Sequence, residues 1–219
     1  MKIPEKVINH PNAYKIEENI YAIKNFVLPE ESQWILSIAE ATTEEEWFKD
    51  GRDWWSGKII YIGEQNENNP HVKNLLARIE NLFSESDHTI GGIKTIHRMK
   101  KKQIMFIHAD NPKEINGLDN LVEFGIVMYH SDFEGGEVFY EDLGIEYKPE
   151  QYDLVIHPGS AKYKHGVRAV KSDTPRYITT AFVYGPGYEE ILKSDAVYLD
   201  AETGKVNSEI HNPITVYHK

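Results

Sequence analysis

The chain has 219 residues, 40% hydrophobic and 11% aromatic, which is enough for a sizeable packed core and excludes a disordered polymer despite 27% charged residues. A formal net charge of -11 disfavours nucleic acid as a partner, because neutralising phosphates takes clustered Lys and Arg. Cysteine is absent, which excludes disulfides, thiolate nucleophiles and cysteine-ligated clusters, so any metal must sit on nitrogen and oxygen. The first strand is expected over 20–27, "IYAIKNFV", followed by a helix that opens at the Pro and acids of "PEESQWILSIAEATTEEEW". Around 52–62 an aromatic turn, "RDWWSG", leads into a strand. The segment "NPHVKNLLARIENLFSES" then sets Val72, Leu75, Leu76, Ile79, Leu82 and Phe83 on one helical face.

Beyond residue 90 short runs of Ile, Val, Tyr, Phe and Thr alternate with Gly, Pro, Asn and Asp, the texture of an antiparallel β region. Strands are expected at 93–99, 103–109, 122–130, 136–140, 153–157, 163–170 and 176–184. The fold class is therefore mainly β with flanking helices, a jelly-roll sandwich or barrel with the helices over one outer face. The chain reads as a single domain over 1–219: an opening strand and supporting helices at 20–90, a β core at 91–184, and a C-terminal extension at 185–219 that forms a strand pair on the body or an arm to a neighbour. No apolar stretch of signal-peptide length and no membrane-span window occurs, so a cytoplasmic protein with no membrane partner is expected.

Directly behind the apolar run "IMFI" stand His108 and Asp110, two apart. On a strand that spacing turns both side chains to one face, where they can reach one point. Alone, the pair is a common solvated strand end. A second histidine, His165 in "KYKHGVRAV", and Arg176, eleven residues further and opening "RYITTAFVY", change its meaning. Two His and one carboxylate with vacant coordination positions form the facial triad of non-haem Fe(II) oxygenases, and Arg meets a carboxylate with two parallel hydrogen bonds.

With these residues in order, and with "FEGGE" at 133–137 between them, residues 93–184 resemble the double-stranded β-helix core of the 2-oxoglutarate and Fe(II)-dependent dioxygenases, in the prolyl 4-hydroxylase-like branch. "NFVLPEESQWI" resembles the segment that opens these domains, so the likeness runs over roughly 20–184. The resemblance implies that His108, Asp110 and His165 are the catalytic iron ligands and that Arg176 binds the distal carboxylate of 2-oxoglutarate. It also implies O2 as co-reactant, succinate and CO2 as products, and ascorbate as an aid to activity. Where family members carry Arg-Tyr, this chain has Arg98-Met99, and the aromatic common three before the first His is Met105; Tyr129 and Thr180 are the candidate replacements at the cosubstrate.

Trp54, Trp55 and Arg98 are the candidate substrate contacts, the tryptophans forming either a lid over a peptide or a plug closing the barrel end. "RMKKK" at 98–102 reads as a solvated loop or strand edge. His157, at a position the family usually fills with an apolar residue, reads as a satisfied structural histidine, and His130 as a loop or substrate-facing residue. The function this implies is hydroxylation of a peptidyl residue, proline first, in a peptide or protein substrate. The alternatives are the same chemistry on a nucleic-acid base or small molecule, and a jelly-roll binding module without catalysis. Phe182 stands where the nucleic-acid branch has a second Arg, and the H-E-x-x-H helix of a zinc hydrolase is absent.

Overall fold

The computed structural model describes residues 2–49, 55–62, 68–110 and 122–186. A one-turn helix α1 (Glu5–Ile8) precedes a hairpin of β1 (Ala13–Glu17) and β2 (Ile20–Ile23), whose turn includes Asn19 in the left-handed region at φ 64. The expected strand over 20–27 stops at Ile23 because Asn25 also turns left-handed, at φ 52. Helix α2 (Pro29–Ala41) starts at its proline, whose missing N–H costs nothing there, and the Glu31 carboxylate accepts from the Leu28 N–H at 2.9 Å. After β3 (Lys58–Tyr61), helix α3 (Pro70–Phe83) is capped by Asn69, whose side chain accepts from the His71 N–H. It buries Val72, Leu75, Ile79, Leu82 and Phe83, as the periodicity predicts, and leaves the sixth expected residue, Leu76, half-buried against the core.

The β region follows as β4 (Thr89–Ile90), β5 (Thr95–Met99), β6 (Met105–His108), β7 (Val122–Tyr129), β8 (Val138–Tyr140), β9 (Ile145–Tyr147), β10 (Leu154–Pro158), β11 (His165–Val167) and β12 (Arg176–Tyr184). They form two antiparallel sheets. The larger runs β1-β2-β10-β7-β12-β5-β3 with β4 beside β12, and the smaller runs β6-β11-β8-β9. Strands β1, β4 and β9 were not expected from the sequence. The run expected at 163–170 contracts to β11, with a 3-10 turn over Ala161–Tyr163 ahead of it. The tail expected to form a strand pair or an arm lies, beyond residue 186, outside the described residues.

Strand alternation divides the larger sheet into two working faces. Ile96, Phe124, Ile126, Met128, Leu154, Ile156, Tyr177, Ala181 and Val183 pack with α2 and α3 in the main core. The Glu31 carboxylate bridges the two helices by accepting from both Nη atoms of Arg78, at 2.8 and 2.6 Å. The opposite face turns toward the smaller sheet and carries Tyr129, Val155 and Ile178 in one cluster and Ile59 and Met99 in another, the latter with Trp55, Met105 and Val167. Helices therefore seal one side, as expected, and the space between the sheets is left for the site. No helix among the described residues is long and apolar enough to cross a membrane.

Candidate metal centre and anion pocket

His108 and His165 are Cα partners across the β6–β11 pairing, so the register itself sets the two imidazoles side by side, with ring centroids 4.5 Å apart. The next paired residues are Met105 and Val167: two residues of β6 oppose the single Gly166 of β11. That bulge lets Met105 pack inward and still turns His108 inward three residues later, while Phe106 points out at 57% exposure. Asp110 follows just past the strand. One ligand atom from each of His108, Asp110 and His165 lies within 4.8 Å of the others, with Asp110 Oδ1 3.8 Å from His108 Nε2 and 3.9 Å from His165 Nε2.

Both imidazoles are oriented from behind. Nδ1 of His108 donates to the Phe106 carbonyl and Nδ1 of His165 to the Tyr163 carbonyl, each at 3.1 Å, which turns Nε2 toward the carboxylate. Burial pushes the His165 pKa well below its ordinary value, so the ring is neutral. Burial opposes the charge on Asp110, but the imidazoles around it, His165 first and then His157 through its hydrogen bond, outweigh it and hold the carboxyl well below the usual range. Two imidazole nitrogens and one carboxylate oxygen on one side of a point are a donor set that suits Fe(II) and leaves positions open.

Arg176 opens β12 with its side chain between the sheets, 2% exposed. Nη2 donates to the Tyr129 hydroxyl at 3.3 Å, Nη1 lies 3.6 Å from Met99 Sδ, and the guanidinium sits 5.1 Å from the Tyr129 ring centre. Its Nε has no hydrogen-bond partner, and among the described residues no carboxylate pairs with it. Gly135 and Gly136 of "FEGGE", both left-handed at φ 70 and 65, bring the chain against this side chain: a Cβ on Gly136 would stand 3.1 Å from Arg176 Cδ and 2.9 Å from the Phe133 ring. Tyr129, kept neutral by burial, is the candidate replacement in contact with Arg176. Thr180 shares its face of β12 but lies four residues on, roughly 13 Å along the strand.

Two of the substrate candidates, Arg98 and Trp55, have defined places in the fold. Arg98 alternates with Met99 and so faces the helices, away from Arg176. Its guanidinium donates to both oxygens of Glu44, at 2.9 and 2.8 Å, and covers the Trp47 ring at 4.2 Å. Lys100, Lys58 and Arg98 together hold the Glu44 carboxyl down at about 2. Trp55 is 3% exposed, packed against Met105, Met99 and Ile59 and 5.2 Å from the His97 ring, so of its two readings the plug describes it and the lid does not. Trp54 lies outside the described residues. His130 also turns away from the site: it is fully buried between Ser32 Oγ of α2 at 3.0 Å and Thr179 Oγ1 of β12 at 2.8 Å.

His157 is where sequence reasoning fell short. It is satisfied, as expected, but by the site: Nε2 is 2.8 Å from Asp110 Oδ2 and Nδ1 is 3.0 Å from the Tyr140 hydroxyl. Alternation of Leu154 and Ile156 toward the helices with Val155 and His157 toward the smaller sheet carried the signal.

No family model matches the chain, and no curated protein matches it by sequence. Solved structures do match. The viral collagen prolyl hydroxylase of Paramecium bursaria Chlorella virus 1, in a 2OG complex, superposes with a TM-score of 0.60 over 77% of this chain and 97% of its own, at 14% identity. The fold is that of the prolyl 4-hydroxylase-like 2-oxoglutarate oxygenases. A Pseudomonas putida prolyl-4-hydroxylase matches at a TM-score of 0.60, 15% identity and 77% and 94% coverage of the two chains. A Trichoplax adhaerens prolyl hydroxylase, in complex with a hypoxia inducible factor peptide fragment, reaches 0.64 at 15% identity over 85% and 91%. The expected jelly-roll core is thus borne out.

Proposed function

We propose that the chain is an Fe(II)- and 2-oxoglutarate-dependent dioxygenase that hydroxylates a peptidyl residue, with proline the first candidate. The observation that carries this reading is Arg176, a guanidinium 2% exposed with no carboxylate of the described chain beside it, in the same inter-sheet space as a His-Asp-His group. A buried cation is costly unless an anion meets it, and an acidic cosubstrate would do so. His108, Asp110 and His165 would hold the metal, and Arg176 with Tyr129 would grip the cosubstrate's distal carboxylate. Bound iron and 2-oxoglutarate would supply the oxidising chemistry: 2-oxoglutarate and O2 become succinate and CO2, with one oxygen atom in succinate and the other in the substrate's C–H bond. The chain's own part is orientation and exclusion of water by the Tyr129, Phe133, Val155 and Ile178 cluster around the guanidinium.

A peptide is favoured as substrate because the Trichoplax neighbour is in complex with a peptide fragment, and because a net charge of -11 opposes a polyanion. The test is succinate release with Fe(II), 2-oxoglutarate and O2 in the presence of proline-rich peptides or a methylated single-stranded oligonucleotide, with mass spectrometry of both. A gain of one oxygen atom on a peptide, in step with succinate, is the expected result. Demethylation of the oligonucleotide with every peptide unchanged overturns the peptide assignment, and no succinate with any substrate overturns the dioxygenase.

A further inference from the structure

Asp110 has two carboxylate oxygens, and the structure treats them differently. Oδ1 faces Nε2 of both His108 and His165 at 3.8 and 3.9 Å, whereas Oδ2 lies 2.8 Å from His157 Nε2. A carboxylate only accepts, so His157 Nε2 must carry the hydrogen, and in the neutral ring Nδ1 is then an acceptor. The group beside Nδ1 is the Tyr140 hydroxyl at 3.0 Å, on a phenol 1% exposed that burial keeps protonated. Tyr140, His157 and Asp110 thus form a chain of hydrogen bonds running one way, into Oδ2.

Room for this chain is made by Gly125 in the middle of β7. A Cβ there would stand 2.2 Å from Asp110 Oδ2 and 2.7 Å from His157 Nε2, closer than any side chain could tolerate without displacing one of them. Gly inside a strand weakens it relative to Ala, so the position trades strand stability for this contact. Strand pairing supplies the rest: His157 and Gly125 are Cα partners in the β10–β7 ladder, which locks the imidazole over the glycine.

We propose that His157 is a positioning residue of the metal centre, which ties up Asp110 Oδ2 so that Oδ1 alone is presented with His108 and His165, and which depends on Gly125 for space and on Tyr140 for its tautomer. This rests on the metal-binding reading above. Without His157 the carboxylate can rotate and offer both oxygens, filling a coordination position that the proposed cosubstrate needs; with it, Asp110 is a one-oxygen ligand. Partners that orient a ligand in this way carry about 10–100-fold in metal affinity or activity.

The probe is Co(II), titrated into the metal-free protein and followed by its visible absorption, which reports coordination number. The parent and Asp110→Ala proteins establish whether the triad binds at all. His157→Phe, matching the ring's shape without a donor, should weaken Co(II) binding about 10–100-fold and change the spectrum. His157→Gln, whose amide N–H can reach Oδ2, should restore much of the affinity and the parent spectrum, and Tyr140→Phe should shift both in the direction of His157→Phe but less. Parental affinity and spectrum in His157→Phe overturn the positioning role while leaving the metal site standing. Failure of the parent to bind Co(II) overturns the metal centre itself. Should His157→Phe not fold, a His157→Gln protein that folds but binds as weakly as Asp110→Ala also overturns the proposal, because it has the donor and lacks the effect.

Discussion

Arg176→Met separates the two energetic roles of one side chain. In the cosubstrate-free protein the guanidinium is 2% exposed, Nε has no partner, and the Nη atoms have only a phenol at 3.3 Å and a thioether at 3.6 Å. None of these neutralises a charge taken out of water. Methionine has similar length and no charge, so the substitution should stabilise the cosubstrate-free protein by about 1–4 kcal/mol, the range seen when buried ionic groups give way to apolar ones. In a chain of 219 residues each kcal/mol raises Tm by roughly 2–4 °C. The same substitution leaves the distal carboxylate of bound 2-oxoglutarate unpaired, which costs about 2–5 kcal/mol, or roughly 30- to 5,000-fold in Kd. Thermal unfolding with Mn(II), with and without 2-oxoglutarate, reads both: ligand at a hundred times Kd stabilises the parent by about 2.7 kcal/mol, and the variant should start higher and gain almost nothing. A variant that starts lower and still gains the parental increment from 2-oxoglutarate would refute both halves of the reasoning.

Gly125→Ala should leave the fold intact, since Ala suits a strand better than Gly, yet weaken Co(II) binding, because its Cβ would lie 2.2 Å from Asp110 Oδ2; parental affinity by titration would show that the close approach is incidental. Trp55→Ala should lower stability by roughly 3–5 kcal/mol in urea unfolding, as for a large ring removed from a core, and leave the affinity of the folded protein for peptide unchanged. Burial holds the His130 pKa down at about 3 against an ordinary 6.5. The unfolded chain therefore binds a proton that the folded one refuses, and stability falls as pH drops from about 6.5 toward 3, this group contributing up to about 1.4 kcal/mol per pH unit. In His130→Gln, which can keep hydrogen bonds to Ser32 and Thr179, urea midpoints measured against pH should lose that share of the slope.

Patterns of short range made much of this protein legible in its sequence. The apolar stripe of α3, the proline starts of both longer helices and the two-residue period of β5, β7, β10 and β12 are local, and they suffice for helices over one face of a β core. The His108, Asp110, His165 and Arg176 set was legible because its spacing follows from strands that return in a regular order. Tertiary structure decided what depends on register and on which face a residue takes. A bulge opposite Gly166 turns His108 inward, a one-residue effect that no propensity encodes. Arg98 and Met99 are neighbours with opposite destinations: one is clamped by Glu44 under the helices, and the other touches Arg176 between the sheets. His157 reads as a lone polar residue in an apolar strand until the pairing with β7 sets it over Gly125 and Asp110 packs against both. Contacts between residues 47 positions apart, as His157 and Asp110 are, arise only when the sheets close, because a strand's sequence specifies its alternation but not the strand it will meet.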